Sequence, residues 1–143
     1  MNLQEKAKFY YNENGKNCAE AILLATSDVY NLNLNDEDAK LLVGFGGGMG
    51  CGSVCGCLAA SIAVIGKIFY GNEKIREICA EFTSKFKKTL QCDSIDCSGI
   101  APVYKTVEKR CEKAVAVSSD LLEEFYTQGL YHYNLLNHIV MFF

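Results

Sequence analysis

The sequence predicts an all-α domain, a compact bundle of five to seven helices around one buried central helix. Three observations carry that prediction. Apolar residues recur at three- and four-residue spacing over most of the chain, and no run of strict strand-like alternation interrupts them. Residues 54–69 are apolar on nearly every side, the pattern of a helix at the centre of a core. Asparagine and aspartate stand ahead of several periodic segments, where their side chains cap helix starts.

Each element follows in order. Residues 3–11 read as a short helix, ended by a polar turn at 12–15. Asn17 and Glu20 have the spacing of a capping box, so Cys18 becomes the first residue of the next helix. Residues 31–35 break the pattern, and Asp36 is expected to cap a helix that runs to Val43 and stops at glycines. Ser53 is the expected cap of the central helix. That placement puts Cys55 in its exposed first turn, where free N–H groups and the positive dipole end favour a thiolate.

Ile75, Ile78, Cys79, Phe82, Phe86 and Leu90 trace one stripe of an amphipathic helix whose other face is charged. Pro102, the only proline, suits the first turn of a helix reaching about Tyr126. On that helix Val103, Val107, Cys111, Ala114, Leu121 and Phe125 are expected to face inward. Gly129 breaks the pattern, and residues 129–143 are expected to form a docking tail or an oligomer contact, such as a homodimer face. His132 and His138 lie in that tail among tyrosines and asparagines and have no expected catalytic role.

With 143 residues, half of them apolar, the chain suits a single domain spanning 1–143. A net charge of −3, with acids and bases interspersed, excludes the electrostatic footprint of a nucleic-acid binder. The longest apolar run is too short to span a bilayer, so no membrane insertion is expected. The first residues lack the apolar core of a signal peptide, and a cytoplasmic location is therefore expected.

Chemistry concentrates in the cysteines and glycines. Eight cysteines exceed what packing needs, and in a reducing compartment that count points to redox chemistry or metal binding. Six of the nine residues at 44–52 are glycine, yet no frame supplies G-x-G-x-x-G and no strand precedes them. Gly46, Gly47, Gly48 and Gly50 could offer backbone N–H groups to a cofactor or anion as a nest, without any phosphate motif to support it. The cysteine spacings match no adjacent-ligand template: no C-x-x-C occurs, Cys51, Cys55 and Cys57 form C-x-x-x-C-x-C, and four residues separate Cys92 from Cys97. Cys79, on an amphipathic stripe, reads as core.

Four stretches, NCAEAILLA around Cys18, GFGGGMG followed by CGCLAAS around Cys55, LQCDSIDC around Cys92 and KRCEKAV around Cys111, resemble the C_GCAxxG_C_C family. These are small domains to which redox activity is ascribed from spaced cysteines and a C-G-A-x-x-G motif behind a glycine-rich loop. The resemblance covers nearly the whole chain. Two positions depart from the motif: Cys57 stands for its alanine and Ala60 for its last glycine. Cys51, Cys57, Cys79 and Cys97 are additional to the family's four.

The resemblance implies redox activity with no substrate attached. Cys55, Cys18, Cys92 and Cys111 are accordingly expected to converge and exchange thiols with an unidentified redox partner, as in a thiol-based oxidoreductase needing no cofactor. Cys55 is the expected nucleophile and Cys18 the expected resolving thiol. The alternative is that the same four cysteines ligate zinc or an iron–sulfur cluster, with Cys51, Cys57 or Cys97 as extra ligands. A third reading is a structural or interaction module with incidental cysteines.

Overall fold

The computed structural model describes the backbone of residues 1–141 and the side chains of residues 1–129. Among the described residues it is all-α, with seven α-helices, no strand and two isolated bridges. The helices are α1 (Leu3–Glu13), α2 (Cys18–Tyr30), α3 (Asp36–Ala39), α4 (Gly56–Ile68), α5 (Ile75–Leu90), α6 (Cys97–Tyr104) and α7 (Glu112–Met141). A 3-10 segment (Lys40–Phe45) and a left-handed glycine turn (Gly48–Gly52) join α3 to α4. No helix among the described residues is long and apolar enough to cross a membrane.

The helix starts are written in asparagine. Asn2 with Glu5, Asn17 with Glu20 and Asn35 with Asp38 each form a reciprocal capping box. Asn35, one residue earlier than expected, caps α3 rather than Asp36. The α-helix there ends at Ala39 and tightens into the 3-10 segment, leaving Leu41 and Val43 exposed.

Two helices share the centre. α4 buries Cys57, Leu58, Ala60, Ser61, Val64 and Ile65 while Ala63 and Lys67 face solvent along a narrow stripe. α2 is enclosed more completely, with every position from Ala21 to Ser27 buried. Its alanines allow α1 and α4 to pack closely on its two sides. α7 lies across α1, α4 and α5 and closes the bundle. Phe82, Phe86 and Leu90 of α5 are fully buried at one-turn spacing, as expected, and Phe82 meets Phe125 of α7 edge to face at 5.2 Å. Truncating either phenylalanine to alanine is expected to cost about 3–5 kcal/mol.

The largest departure from expectation is in the second half. No single helix runs from Pro102 to Tyr126. Pro102 sits late in the short α6, the chain leaves the helix after Tyr104, and α7 starts at Glu112. Between them Thr106 and Arg110 pair across a turn, with Arg110 at a positive φ of 51°. The helical phase drawn through Pro102 therefore fails, and Val103 and Val107 are exposed. Ala114, Leu121 and Phe125, which lie in α7, are buried as expected. The β-branched stretch at 115–119 stays helical because Val115, Val117, Ser118 and Ser119 are buried against the other helices.

Gly129 does not break α7, whose backbone continues to Met141. It is a contact position: a Cβ there would lie 2.1 Å from Cε1 of the Phe69 ring. The expectation of a docking tail or oligomer contact at 129–143, with His132 and His138, concerns side chains outside the described residues.

Helix propensity alone predicts that Gly129→Ala stabilises the protein by about 1 kcal/mol. The Phe69 contact reverses the sign, and a loss of about 1–3 kcal/mol is expected from overpacking. Urea unfolding of Gly129→Ala, alone and with Phe69→Leu, checks it. The single variant should lower the midpoint and the pair should recover part of it. A raised midpoint for the single variant would contradict this packing.

A cluster of thiols at two helix starts

The site begins with Asn17. Its side-chain oxygen caps α2 through the Glu20 amide, and its Nδ2 donates to the Val43 carbonyl at 2.9 Å. One residue thus orients Cys18, the first residue of α2, and ties that helix start to the chain entering the glycine segment.

The glycine segment then reverses through Gly47, Gly48, Met49 and Gly50, all with φ between 61° and 71°. Gly48 admits no other residue, since a Cβ would lie 2.3 Å from the Ser53 carbonyl oxygen and 2.7 Å from Cys97 Cβ. The turn is closed by the Ser53 amide donating to Gly48 O at 2.8 Å. Ser53 is extended and caps nothing in α4, contrary to expectation. Val54 instead pairs with Asp96, and the Cys55 amide donates to Ile95 O and the Cys97 amide to Ser53 O. This short pairing fixes Cys55 and sets Cys97, the first residue of α6, beside the glycine turn.

Cys55 is itself the N-cap residue of α4, so the helix starts two residues later than expected. It is not at an exposed mouth, being 6% exposed, and Cys57 is fully buried. Gly56 between them makes the cluster: a Cβ there would meet Cys18 Sγ at 2.7 Å and Phe45 O at 2.8 Å. Without that Cβ, the Cys18 sulfur settles onto the start of α4. Cys57, fully buried, is the next residue of α4 after Gly56.

The electrostatics follow from that geometry. The Cys57 S–H stabilises a neighbouring thiolate, lowering Cys18 and bringing Cys55 down to about 7 against the opposing effect of burial. The backbone amides of Leu58 and Cys57 help at Cys55, and those of Ala19 and Cys18 help at Cys18, as free N–H groups at helix starts do. Cys57 is pushed well above the usual thiol range, because ionising it would forfeit both hydrogen bonds in a buried place. A Cys55 charge raises Cys18 in turn, so the trio carries one thiolate more readily than two.

Other cysteines surround this centre. Cys97 and Cys111 are raised first by burial, then Cys97 by the fields of Cys55 and Cys18 and Cys111 by those of Cys97, Cys55 and Cys18, with Lys105 pulling both back. Cys111 is held by Tyr11, whose hydroxyl accepts from the Cys111 amide at 3.0 Å while the Arg110 guanidinium covers the ring at 3.8 Å. Cys92 is not drawn in: its sulfur faces the Gly99 carbonyl at 3.7 Å, and it contributes to none of these shifts. Cys51 is exposed against Gly48 O, and Cys79 is raised by burial alone. All eight thiols are free. An open groove of about 560 Å³ runs past Cys97, between the glycine turn at Gly52 and Pro102 and Lys105.

Of the residues singled out in the sequence, the structure joins Cys18 to Cys55, places Cys111 within their field and leaves Cys92 apart. Sequence reasoning did not separate Cys57 from the extra thiols, although C-x-C across a helix start was the available signal. Gly46 and Gly48 serve close packing against Asn17 and against Ser53 and Cys97, whereas Gly47 and Gly50 meet nothing within 4 Å and serve the turn by positive φ. Among the described residues, no group of three or more His, Cys, Asp or Glu side chains is arranged to hold a metal ion.

Fold and site together define a helical domain built around a buried thiol cluster. A family model matches residues 16–125, and the chain belongs to that family, C_GCAxxG_C_C, described as "Putative redox-active protein". An uncharacterized protein of Archaeoglobus fulgidus is 39% identical over 49 residues, which are 34% of this chain and 32% of the relative. The matched segment thus spans about a third of the length of that curated relative. No solved structure matches the chain.

Two outcomes are expected from this geometry. Gly56→Ala should separate Cys18 from the start of α4, lowering stability by about 1–3 kcal/mol and moving the pH midpoint of Cys18 alkylation upward. Mass-mapped alkylation across pH checks the second effect, and an unmoved midpoint would mean that contact with the start of α4 has no part in tuning Cys18. The other outcome concerns Tyr10, Tyr11 and Tyr30, all pushed up to about 12, chiefly by burial. Their folded pKa lies above the unfolded value of about 10, so this stabilisation is full below pH 10 and lost as pH rises through about 12. Tyr11→Phe should cost about 1 kcal/mol at neutral pH by orphaning the Cys111 amide, yet make the alkaline loss shallower. Urea unfolding at pH 7 and above pH 10 reads both, and an unchanged alkaline slope would count against Tyr11.

Proposed function

We propose that this domain exchanges thiols for disulfides with a redox partner, Cys55 attacking and Cys18 resolving. The observation that carries the reading is the Cys18 sulfur lying against Gly56 at the start of α4, the residue between Cys55 and Cys57, with Cys55 brought down to about 7. A thiol with that pKa is substantially ionised at neutral pH without losing all its nucleophilicity. Family membership supports redox activity and leaves the partner open.

The chemistry balances as a two-electron exchange. The Cys55 thiolate attacks one sulfur of a disulfide RS–SR′, forming a bond to SR and releasing R′S⁻, which takes a proton from solvent. Cys18, deprotonated, then attacks Cys55 Sγ, closing a disulfide between Cys18 and Cys55 and releasing RS⁻, which is protonated in turn. The protein loses two electrons and two protons, and the partner gains both. Cys55 is little exposed, so an incoming disulfide must displace part of the glycine turn or enter from the groove beside Cys97.

Ligation of zinc or an iron–sulfur cluster by Cys18, Cys55, Cys92 and Cys111 has less support, because Cys92 faces α6 rather than the cluster. In this reading the glycine turn needs no cofactor, since Gly46 and Gly48 are occupied in packing.

Incubation of the reduced protein with hydroxyethyl disulfide, followed by peptide mass mapping, tests the proposal. The expected product is a disulfide between Cys18 and Cys55. Cys18→Ser should accumulate hydroxyethyl thiol bound at Cys55, and Cys55→Ser should abolish the exchange. Trapping at Cys97 or Cys51 in the Cys18→Ser variant would overturn the assignment, and absence of any reaction would overturn the function.

A further inference from the structure

We propose that the turn between α6 and α7, with the groove it borders, is a docking surface for an acidic polypeptide partner that presents its disulfide beside Cys97. The inference rests on the thiol–disulfide reading for what the partner carries, and on the surface itself for the partner's chemistry. The groove of about 560 Å³ is lined by Gly52, Cys97, Ala101, Pro102, Lys105 and Val107, among others. Apolar groups form much of its wall, and Lys105 supplies its charge. The thiols are close at hand. The Cys97 amide donates to Ser53 O at 2.7 Å and the Cys55 amide to Ile95 O at 2.9 Å, so both cysteines belong to one pairing of two short segments.

The turn is pinned and yet shows an apolar tip. Thr106 and Arg110 exchange both backbone hydrogen bonds, at 3.0 and 2.8 Å, and the Lys109 amide donates to Thr106 Oγ1 at 2.9 Å. Arg110 anchors the turn to α1, donating to the Tyr11 carbonyl with its guanidinium 3.8 Å from the ring centroid. Val107 at the tip is nonetheless fully exposed, and Val103 on the last turn of α6 is largely so. Neither side chain is packed by the fold, whereas a partner would gain apolar contact from both. A tip already held in place loses little conformational freedom on binding.

Charge on this surface selects the partner. Lys105, Lys109, Arg110 and Lys113 fall within nine residues of a chain whose net charge is −3. Lys109 and Lys113 line a second depression of about 390 Å³ that shares Thr106 with the groove, so the cations continue away from Cys97 along the turn. Among the described residues, Lys105, Lys109 and Lys113 form no ion pair. Of the nearby acids, Glu112 pairs with Lys8 and Asp120 accepts from Gln4, which leaves Glu108 at the tip as the opposing charge. A segment with carboxylates on either side of an apolar residue matches this arrangement, its apolar side chain against Val107 and its carboxylates on the lysines.

Two experiments test the surface, one with exchange and one without. In the first, reduced protein meets a disulfide-linked peptide dimer with aspartate, glutamate and valine around its cysteine. The same dimer with lysine for each acid, and hydroxyethyl disulfide, serve as comparisons. Closure of the disulfide between Cys18 and Cys55 is followed by quenching and peptide mass mapping. At low salt the acidic dimer should react about tenfold faster than the lysine dimer, and added salt should narrow the gap. The chain's net charge favours the lysine dimer, so a preference for the acidic one is local. Lys105→Glu with Lys109→Glu should cut the rate of the acidic dimer relative to hydroxyethyl disulfide about tenfold. In the second experiment, the acidic peptide with serine for cysteine carries a fluorophore whose anisotropy reports binding. Val107→Asp should weaken that binding about tenfold.

Equal rates for the two dimers, or a ratio that the lysine substitutions leave unmoved, overturns the charge match. Binding that Val107→Asp does not change overturns the turn as the contact. Oxidised glutathione reacting as fast as the acidic dimer would assign the groove to small carboxylated disulfides. A protein that Val107→Asp converts from dimer to monomer would assign the turn to a second copy of this chain. Either result overturns a polypeptide partner of acidic character. The two readings fail separately: binding of the serine peptide with no exchange of any disulfide would sink the function and keep the surface. Exchange with hydroxyethyl disulfide and no peptide binding would do the reverse.

Discussion

The close approach of two helix starts is the constraint on which the rest of the site depends. Cys18 opens α2, Gly56 opens α4, and the sulfur of one lies where a side chain of the other would be. Helix starts carry unsatisfied N–H groups and partial positive charge, and two of them together repel unless something negative or strongly polar lies between. Here sulfur does. The Cys57 S–H is the larger cause that lowers Cys18 and Cys55, and the amides that make the junction unfavourable for apolar side chains add to it. Structure and reactivity thus rest on one contact. The remaining architecture holds it in place: Asn17 anchors α2 to Val43, and the glycine turn delivers Cys55 against Ile95.

Burial works against that effect and decides its size. Cys18 and Cys55 are lowered, while Cys79, Cys97 and Cys111 are raised by burial first. The difference lies in the neighbouring Cys57 S–H, the largest cause lowering both Cys18 and Cys55. A helix start alone does not make a reactive cysteine: Cys97 opens α6 as Cys18 opens α2, and its pKa moves the other way. What separates them is a donor aimed at the sulfur and not the position within the helix.

The fold was largely legible because its signals are local. The Asn17 and Glu20 box, the stripe of Phe82, Phe86 and Leu90, and the apolar run of α4 need only a few neighbouring residues to be read. Failures came where distant contacts overrule local preference. Ser53 had the chemistry of a cap, but pairing with the segment around Asp96 holds it extended. Pro102 had the chemistry of a helix start, but the turn pinned by Tyr11 and Arg110 ends one helix and begins another. Gly129 had the chemistry of a break, and its purpose is instead to accommodate Phe69. The site divided in the same way. Cys18 and Cys55 could be chosen from helix-start positions, whereas Cys57 had only the C-x-C spacing to mark it, and its surroundings are set by the packing of α2 across α4.

The protonation of Cys57 also bears on what kind of chemistry the cluster suits. Thiolate ligation of a metal requires that the ligating sulfurs all lose their protons, with the metal charge compensating them. Cys57 is placed so that it resists losing its proton, and its donation is what makes its neighbours acidic. A cluster organised around one retained proton is suited to a single travelling negative charge. Thiol–disulfide exchange needs that arrangement: the charge starts on the attacking sulfur, leaves with the first product, and must reappear on the resolving sulfur. A fixed thiolate pair would repel itself in this buried place, and a pair of neutral thiols would not attack. The alanine at the corresponding place in the C-G-A-x-x-G pattern has no S–H, so this chain departs from the pattern at the one position whose thiol resists ionisation most strongly.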